Sequence, residues 1–185
     1  DGREAVLKIQ YPGIRESIDS DVDNLASLLS MSGLLPKHMD MAPMLEEAKT
    51  QLHEEADYEQ EARYLKAFVR ALGDDERFLI PRLIPHLSAT RILGMTYVPG
   101  IPIEEVAHET AAERSRVLGL LFELLMIELF QLRLVQTDPN FANYRYHAMT
   151  GQVALLDFGA SRRFKAGLIR SYRELLVAAI DSDRP

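Results

Sequence analysis

Two short oxygen-bearing stretches constrain this 185-residue chain more than anything else in it. Asp138-Pro-Asn-Phe-Ala-Asn143 sets an Asp and an Asn five positions apart, and Asp157-Phe-Gly159 follows fourteen residues later at the end of an apolar run. Residues 144–146 and 153–156 between them read as short strands, with Met149-Thr150-Gly151 as their turn. A hairpin of that kind would carry carboxylate and amide oxygens on one rigid frame, and the remaining elements must fold around it.

Those elements read in a clear order. Residues 4–11 form a strand with Val6, Lys8 and Gln10 on one face and Leu7 and Ile9 on the other, ended by Pro12-Gly13. Residues 14–31 are helical, with Ile18, Val22, Leu25 and Leu29 spaced by three or four and with Gly33 and Pro36 as stops. Pro43 opens one long helix to about Leu72, closed by Gly73. Residues 78–99 are β-branched and broken by Pro81 and Pro85, giving two strands, the clearer at 90–98. A short helix at 102–107, a long one at 111–134 and a last one at 165–180 complete the set. Strand, helices, strand pair, helices, hairpin and helix make an α+β domain, without repeat or low-complexity linker.

Composition closes off several functions. A net charge of -7 argues against nucleic acid, whose binding needs a basic patch. The absence of cysteine removes disulfides, thiolate metal sites and Cys nucleophiles, and suits a reducing compartment. Asp1-Gly2-Arg3-Glu4 is polar and no apolar signal segment follows. The most apolar run, 117–135, carries Glu123, Glu128 and Arg133 and is interrupted by Gln131. A span of about 20 residues rarely tolerates three charges. The run is expected to be a buried helix.

The oxygen-bearing stretches suit phosphoryl transfer. That chemistry needs a carboxylate near the nucleophile's proton and hard oxygen ligands for Mg²⁺. Taken singly, Asp138 is better explained by a helix-end turn and Asp157 by a strand-end turn; their joint spacing is what carries the kinase reading. Lys8, in Ala5-Val6-Leu7-Lys8, is close to the strand-lysine pattern that holds phosphates. Alone it reads as a solvated strand lysine. On the acidic stretch, Glu61 shares a stripe with Tyr58 and Leu65 and is placed to pair with Lys8. Glu54 and Glu59 read as a solvated face, and Glu55 points roughly 120° from Glu61 on a continuous helix.

With Lys8, the acidic helix, Asp138, Asn143 and Asp157 in this order, the chain resembles the UbiB, or AarF-type, family of atypical kinases over essentially its whole length. Lys8-Ile-Gln-Tyr-Pro-Gly13, Glu55-Ala-Asp57-Tyr-Glu-Gln-Glu61-Ala62, Gln136-Thr-Asp138-Pro-Asn-Phe-Ala-Asn143 and Leu155-Leu-Asp157-Phe-Gly-Ala-Ser-Arg162 carry the resemblance. The Gln-Thr-Asp form is closer to the ubiquinone-pathway members of mitochondria and related bacteria than to His-Ala-Asp members.

The resemblance implies a two-lobed, protein-kinase-like α+β fold: a small partial β lobe over 1–98 and a mainly helical, incomplete lobe over 99–185. By it, Lys8 would contact the phosphates of ATP or ADP, fixed by Glu61. Asp138 would take the catalytic base's place, and Asn143 and Asp157 would bind Mg²⁺. Met95, Tyr97 and Val98 would form the hinge beside adenine. Glu55 and Asp57 would belong to a motif contacting a Lys-x-Gly-Gln segment. That segment and an Ala-rich nucleotide loop are expected upstream of Lys8, so the chain reads as an N-terminally truncated domain. No Ala-Pro-Glu follows Asp157-Phe-Gly159, which leaves little room for a peptide-docking platform. The implied role is an atypical kinase or ATPase supporting coenzyme Q synthesis, in bacterial cytoplasm or mitochondrial matrix. It implies peripheral membrane association and lipid, quinone-intermediate or pathway-protein partners. A nucleotide-gated scaffold or lipid-binding module and an aminoglycoside-type phosphotransferase are the alternatives; Phe-Gly after Asp157 and Glu55-x-Asp57 favour the first reading over the last.

Overall fold

The computed structural model describes residues 2, 4–32, 41–138 and 140–182. The expected helix stops Gly33 and Pro36, and Pro139 of the Asp138 loop, lie outside the described residues. In chain order the elements are β1 (Ala5–Ile9), α1 (Ile14–Ser32), α2 (Ala42–Glu55), α3 (Tyr58–Leu72), β2 (Phe78–Leu79), β3 (Ile92–Thr96), β4 (Ile101–Pro102), α4 (Ala111–Ile127), β5 (Leu134–Gln136), β6 (Tyr144–His147), β7 (Gln152–Leu155), β8 (Ser161–Arg163) and α5 (Ala166–Ser182). Short 3₁₀ turns occupy Pro85–Leu87, Ile103–His108 and Phe141–Asn143. The mixture is the expected α+β one.

The long helix read over 43–72 is two helices. Ala56 and Asp57 break it, and the Asp57 carboxylate accepts the Gln60 N–H at 2.9 Å while its carbonyl accepts from Glu61. Asp57 is thus the N-cap of α3, and Asp57-x-x-Gln60 is the sequence signature of such a start. The angle drawn between Glu55 and Glu61 on one continuous helix therefore does not apply.

The chain divides into two compact units, Asp1–Lys66 with Arg82–Tyr97, and Ala67–Pro81 with Val98–Pro185. In the first, β1 pairs antiparallel with β3, Lys8 opposite Leu93 and Val6 opposite Met95. The other edge of β3 is covered by the preceding segment, where Ile84 donates to Gly94 and Thr96 to Arg82. Helices α1 and α2 are joined by Lys49–Asp23 at 2.7 Å and His53–Asp19 at 3.1 Å. The buried Gln10 donates its amide to Ala56 O at 2.9 Å, tying the end of β1 to the break before α3.

In the second unit, β2, β7, β6 and β4 form a sheet in that order, with β2 parallel to β7 and the others antiparallel. The β6–β7 hairpin is the expected one. Its turn is closed on His147 O by Thr150 and Gly151, and Gly151 takes a positive φ of 73°, which costs glycine nothing. Arg116 of α4 donates to Gly151 O at 2.8 Å and pairs with Glu113 at 2.6 Å. Glu113 also accepts the Tyr146 hydroxyl, and these two donors hold its carboxyl down at about 2.

The apolar run at 117–135 departs from expectation. Its helix ends at Ile127, a single wide π-type turn follows at Glu128–Leu132, and Arg133 adopts left-handed backbone at φ 52°. Residues 134–136 then pair as β5 with β8, a two-stranded ladder too short to show in the sequence pattern. The helix is not buried all round either: Val117, Leu120 and Leu124 face the core, while Leu118 and Phe122 are exposed. No helix among the described residues is long and apolar enough to cross a membrane.

Candidate active site

In the first unit the expected partners meet. On α3, Tyr58, Glu61, Leu65, Phe68 and Leu72 are all buried, an apolar stripe with one carboxylate in it. A buried carboxylate requires a partner, and β1 supplies it: Lys8 Nζ lies 3.0 Å from Glu61 Oε1 and 2.8 Å from Oε2, across 53 residues of sequence. The ammonium also stands 5.3 Å from the centre of the Tyr58 ring, a favourable cation–π distance. The Glu61 side chain is fully buried, whereas 31% of the Lys8 side chain is exposed. The lysine is therefore fixed by a buried carboxylate and remains partly exposed.

Met95 is buried within the ladder opposite Val6, and Tyr97 N–H donates to Glu4 O at 3.2 Å. Tyr97 is exposed, and Val98 is a half-buried residue that begins the second unit. Glu55 ends α2 on the surface, while Asp57 caps α3. Of the two acids read as a solvated face, Glu59 is exposed and Glu54 half-buried.

In the second unit the two oxygen-bearing stretches are joined. Asn143 donates its side-chain amide to Asp138 Oδ2 at 2.9 Å, leaving the amide oxygen of Asn143 as its acceptor. Leu156 N–H donates to Asn143 O at 2.9 Å. Asp157 Oδ1 accepts Gly159 N–H at 2.8 Å, which sets the carboxylate against its own turn. Phe158, 1% exposed, anchors that turn by packing on Phe68 with ring centres 5.1 Å apart.

Sequence reasoning missed the residue that links them. Gln136, the last of β5, accepts Asp138 N–H through Oε1 at 3.0 Å and donates through Nε2 to Asp157 O at 3.1 Å. Thr137 reinforces it, donating both N–H (3.0 Å) and hydroxyl (2.6 Å) to Ala160 O. Gln136 N–H in turn donates to Glu128 Oε2 at 3.1 Å. Burial lifts the Glu128 carboxyl to about 7, partly offset by that N–H. Burial also pushes the Tyr144 phenol up to about 12, with the charges of Glu128 and Asp138 adding to it. The only advance sign of Gln136 was its place in the Gln-Thr-Asp motif, which gives it no role.

The donor set fits a magnesium ion of the phosphate-completed kind. Among the described residues no three acidic or histidine side chains cluster as a metal cage. Asn143 and Asp157 offer two hard-oxygen ligands from adjoining turns, and Mg²⁺ held by one or two protein oxygens takes its remaining ligands from substrate phosphates and water.

Comparison with known proteins places the chain in a family. Residues 1–185 match the family model described as the ABC1 atypical kinase-like domain. The chain is 42% identical over 184 residues to the mitochondrial atypical kinase COQ8B of Rattus norvegicus, covering 100% of this chain and 35% of that protein. It is 39% identical over 183 residues to the mitochondrial atypical kinase COQ8 of Saccharomyces cerevisiae, covering 99% of this chain and 36% of that protein. A solved structure of Rv3197 from Mycobacterium tuberculosis in complex with erythromycin matches with a TM-score of 0.71 at 29% identity, covering 88% of this chain and 41% of that one. The α+β fold is a protein-kinase-like one. The chain spans about a third of the length of these curated relatives.

Proposed function

The chain belongs to the ABC1 family of atypical kinase-like domains, and we propose from that premise that it binds Mg²⁺-ATP and transfers or hydrolyses its terminal phosphoryl group. The observation that carries the reading is the Asn143 amide on the Asp138 carboxylate at 2.9 Å, on a loop tied by Gln136 to the turn bearing Asp157. Phosphoryl transfer asks the protein mainly for positioning and charge. Lys8, fixed by Glu61, holds phosphate oxygens. Asp138 orients the attacking hydroxyl or water and takes its proton; Asn143 keeps that carboxylate turned toward it. Asn143 Oδ1 and Asp157 would hold Mg²⁺, which when bound neutralises phosphate charge.

The pathway follows from the relatives' names and from the Gln-Thr-Asp form. We assign the domain to ubiquinone biosynthesis and, with mitochondrial relatives, to a mitochondrial or related bacterial setting. Lipid or quinone intermediates are the proposed partners, at a membrane surface. The test is ATP turnover with and without Mg²⁺, in the protein and in Asp138→Asn. The reading expects metal-dependent phosphate release that drops by about 10²-fold or more in the variant. Nucleotide binding without turnover in either protein would favour the nucleotide-gated scaffold.

A further inference from the structure

Glu128 stands out as a buried carboxyl with little visible support. It is 3% exposed, and its Oε1 is one of two buried side-chain atoms among the described residues without a hydrogen-bond partner; the other is Ser161 Oγ. A buried carboxyl with an orphaned oxygen costs stability. Its position explains what it does. In the β5–β8 ladder, Thr137 N–H bonds Ala160 O, so at the neighbouring Gln136–Ser161 pair the Gln136 N–H points away from β8. That donor needs an acceptor from elsewhere. The wide turn at Glu128–Leu132 delivers Glu128 to it, at 3.1 Å. Such turns interrupt a helix at some cost and recur at functional sites.

We propose that Glu128 is a positioning residue for the active site: by holding the Gln136 N–H it fixes a side chain that bonds both the Asp138 loop and the Asp157 turn. The inference rests on the phosphoryl-transfer reading for its effect on rate, but not for its effect on structure. Gln136 reaches Asp138 N–H at 3.0 Å and Asp157 O at 3.1 Å, so a displaced β5 moves both functional carboxylates together. Burial holds the Glu128 carboxyl near 7, in keeping with an oxygen kept from water.

The test pairs amide hydrogen exchange with kinetics on Glu128→Met, which keeps the length and removes the acceptor, and on Glu128→Gln, which keeps an acceptor oxygen. In Glu128→Met the Gln136 and Asp138 amides should exchange about tenfold faster or more, as for donors whose bond is lost. In the same variant kcat for ATP should fall by about 10- to 100-fold with KM for ATP little changed, as misplacement of reacting groups predicts. Glu128→Gln should restore most of the protection and most of kcat. Unchanged protection of both amides in a folded Glu128→Met overturns the proposal, as does a glutamine variant no better than the methionine one. If Glu128→Met does not fold, Glu128→Asp, too short to reach Gln136, is read by the same exchange and the same criteria. A wild-type protein without any nucleotide turnover would sink the phosphoryl-transfer reading, while the exchange result would still decide the role of Glu128.

Discussion

In the first unit the Lys8 ammonium is bonded to a buried carboxylate, Glu61, whereas in the second unit Asp138 Oδ2 accepts the Asn143 amide, Asp157 Oδ1 accepts the Gly159 N–H, and the Gln136 side chain bonds the backbone of both loops. On the proposed reading, the difference follows from what each side chain would offer a phosphate. A lysine that binds phosphate must stay charged and must not wander, and a fully desolvated carboxylate does both. On the proposed reading, a carboxylate that takes a proton or a metal must keep its own charge available, which amide donors to Asp138 Oδ2 and Asp157 Oδ1 allow. A buried carboxylate thus helps to orient the cation, and amide donors help to orient the anions.

Removing the charged support should do the most damage to stability. Glu61→Ala strips the counter-charge from a partly buried ammonium and opens a gap in the α3 stripe, and is expected to cost about 3–5 kcal/mol in urea unfolding. A cost below about 1 kcal/mol would mean that the pair is not buried in solution.

The buried carboxyl in the second unit should show itself through pH. Glu128 is lifted from 4.5 to about 7 by burial. The folded protein keeps this proton up to about pH 7 while the unfolded chain releases it near 4.5, so stability falls as pH rises through that window. The full penalty, about 3 kcal/mol, is felt above pH 7. Glu128→Gln should therefore be more stable than wild type at pH 8 and close to it at pH 4.5, read from melting temperatures. The same difference at both pH values would show that Glu128 titrates normally.

The smallest effect belongs to the helix start. Asp57→Ala loses the cap of α3 and should cost about 1 kcal/mol. Because α3 carries Glu61, its first-turn amides should lose exchange protection ahead of the rest of the helix. Loss of the whole fold instead would assign Asp57 more than a cap.

How much of this was legible beforehand depends on the length of the pattern that encodes it. The Lys8–Glu61 pair could be read because an apolar stripe of Tyr58, Leu65 and Phe68 forces whatever shares it inward, and a strand lysine is the natural counter-charge. The β6–β7 hairpin was legible from alternation closed by a turn glycine. The break at Ala56-Asp57 was encoded too, in Asp57-x-x-Gln60, but helical periodicity on both sides hid it. The Gln136 relay was not legible: β5 and β8 are three residues each, too few for a period, and glutamine at a strand end has no chemistry of its own. The wide turn that brings Glu128 to Gln136 breaks the helical count within a uniformly apolar run, where no periodic signal exists to be broken. Arg133 in left-handed backbone carried no residue signal either, since glycine or asparagine is the usual occupant.

The central claim, that Asn143 and Asp157 complete a magnesium–nucleotide site, is tested most directly by melting the protein and its Asp157→Asn variant over a titration of ATP, with Mg²⁺ and with EDTA. A ligand bound only to the folded state raises the melting temperature in proportion to its affinity. The account predicts a Mg²⁺-dependent rise in the wild-type protein that is lost in Asp157→Asn, while the two proteins melt within a few degrees of each other without nucleotide. An equal rise in both proteins, or none in either at saturating Mg²⁺-ATP, would contradict it.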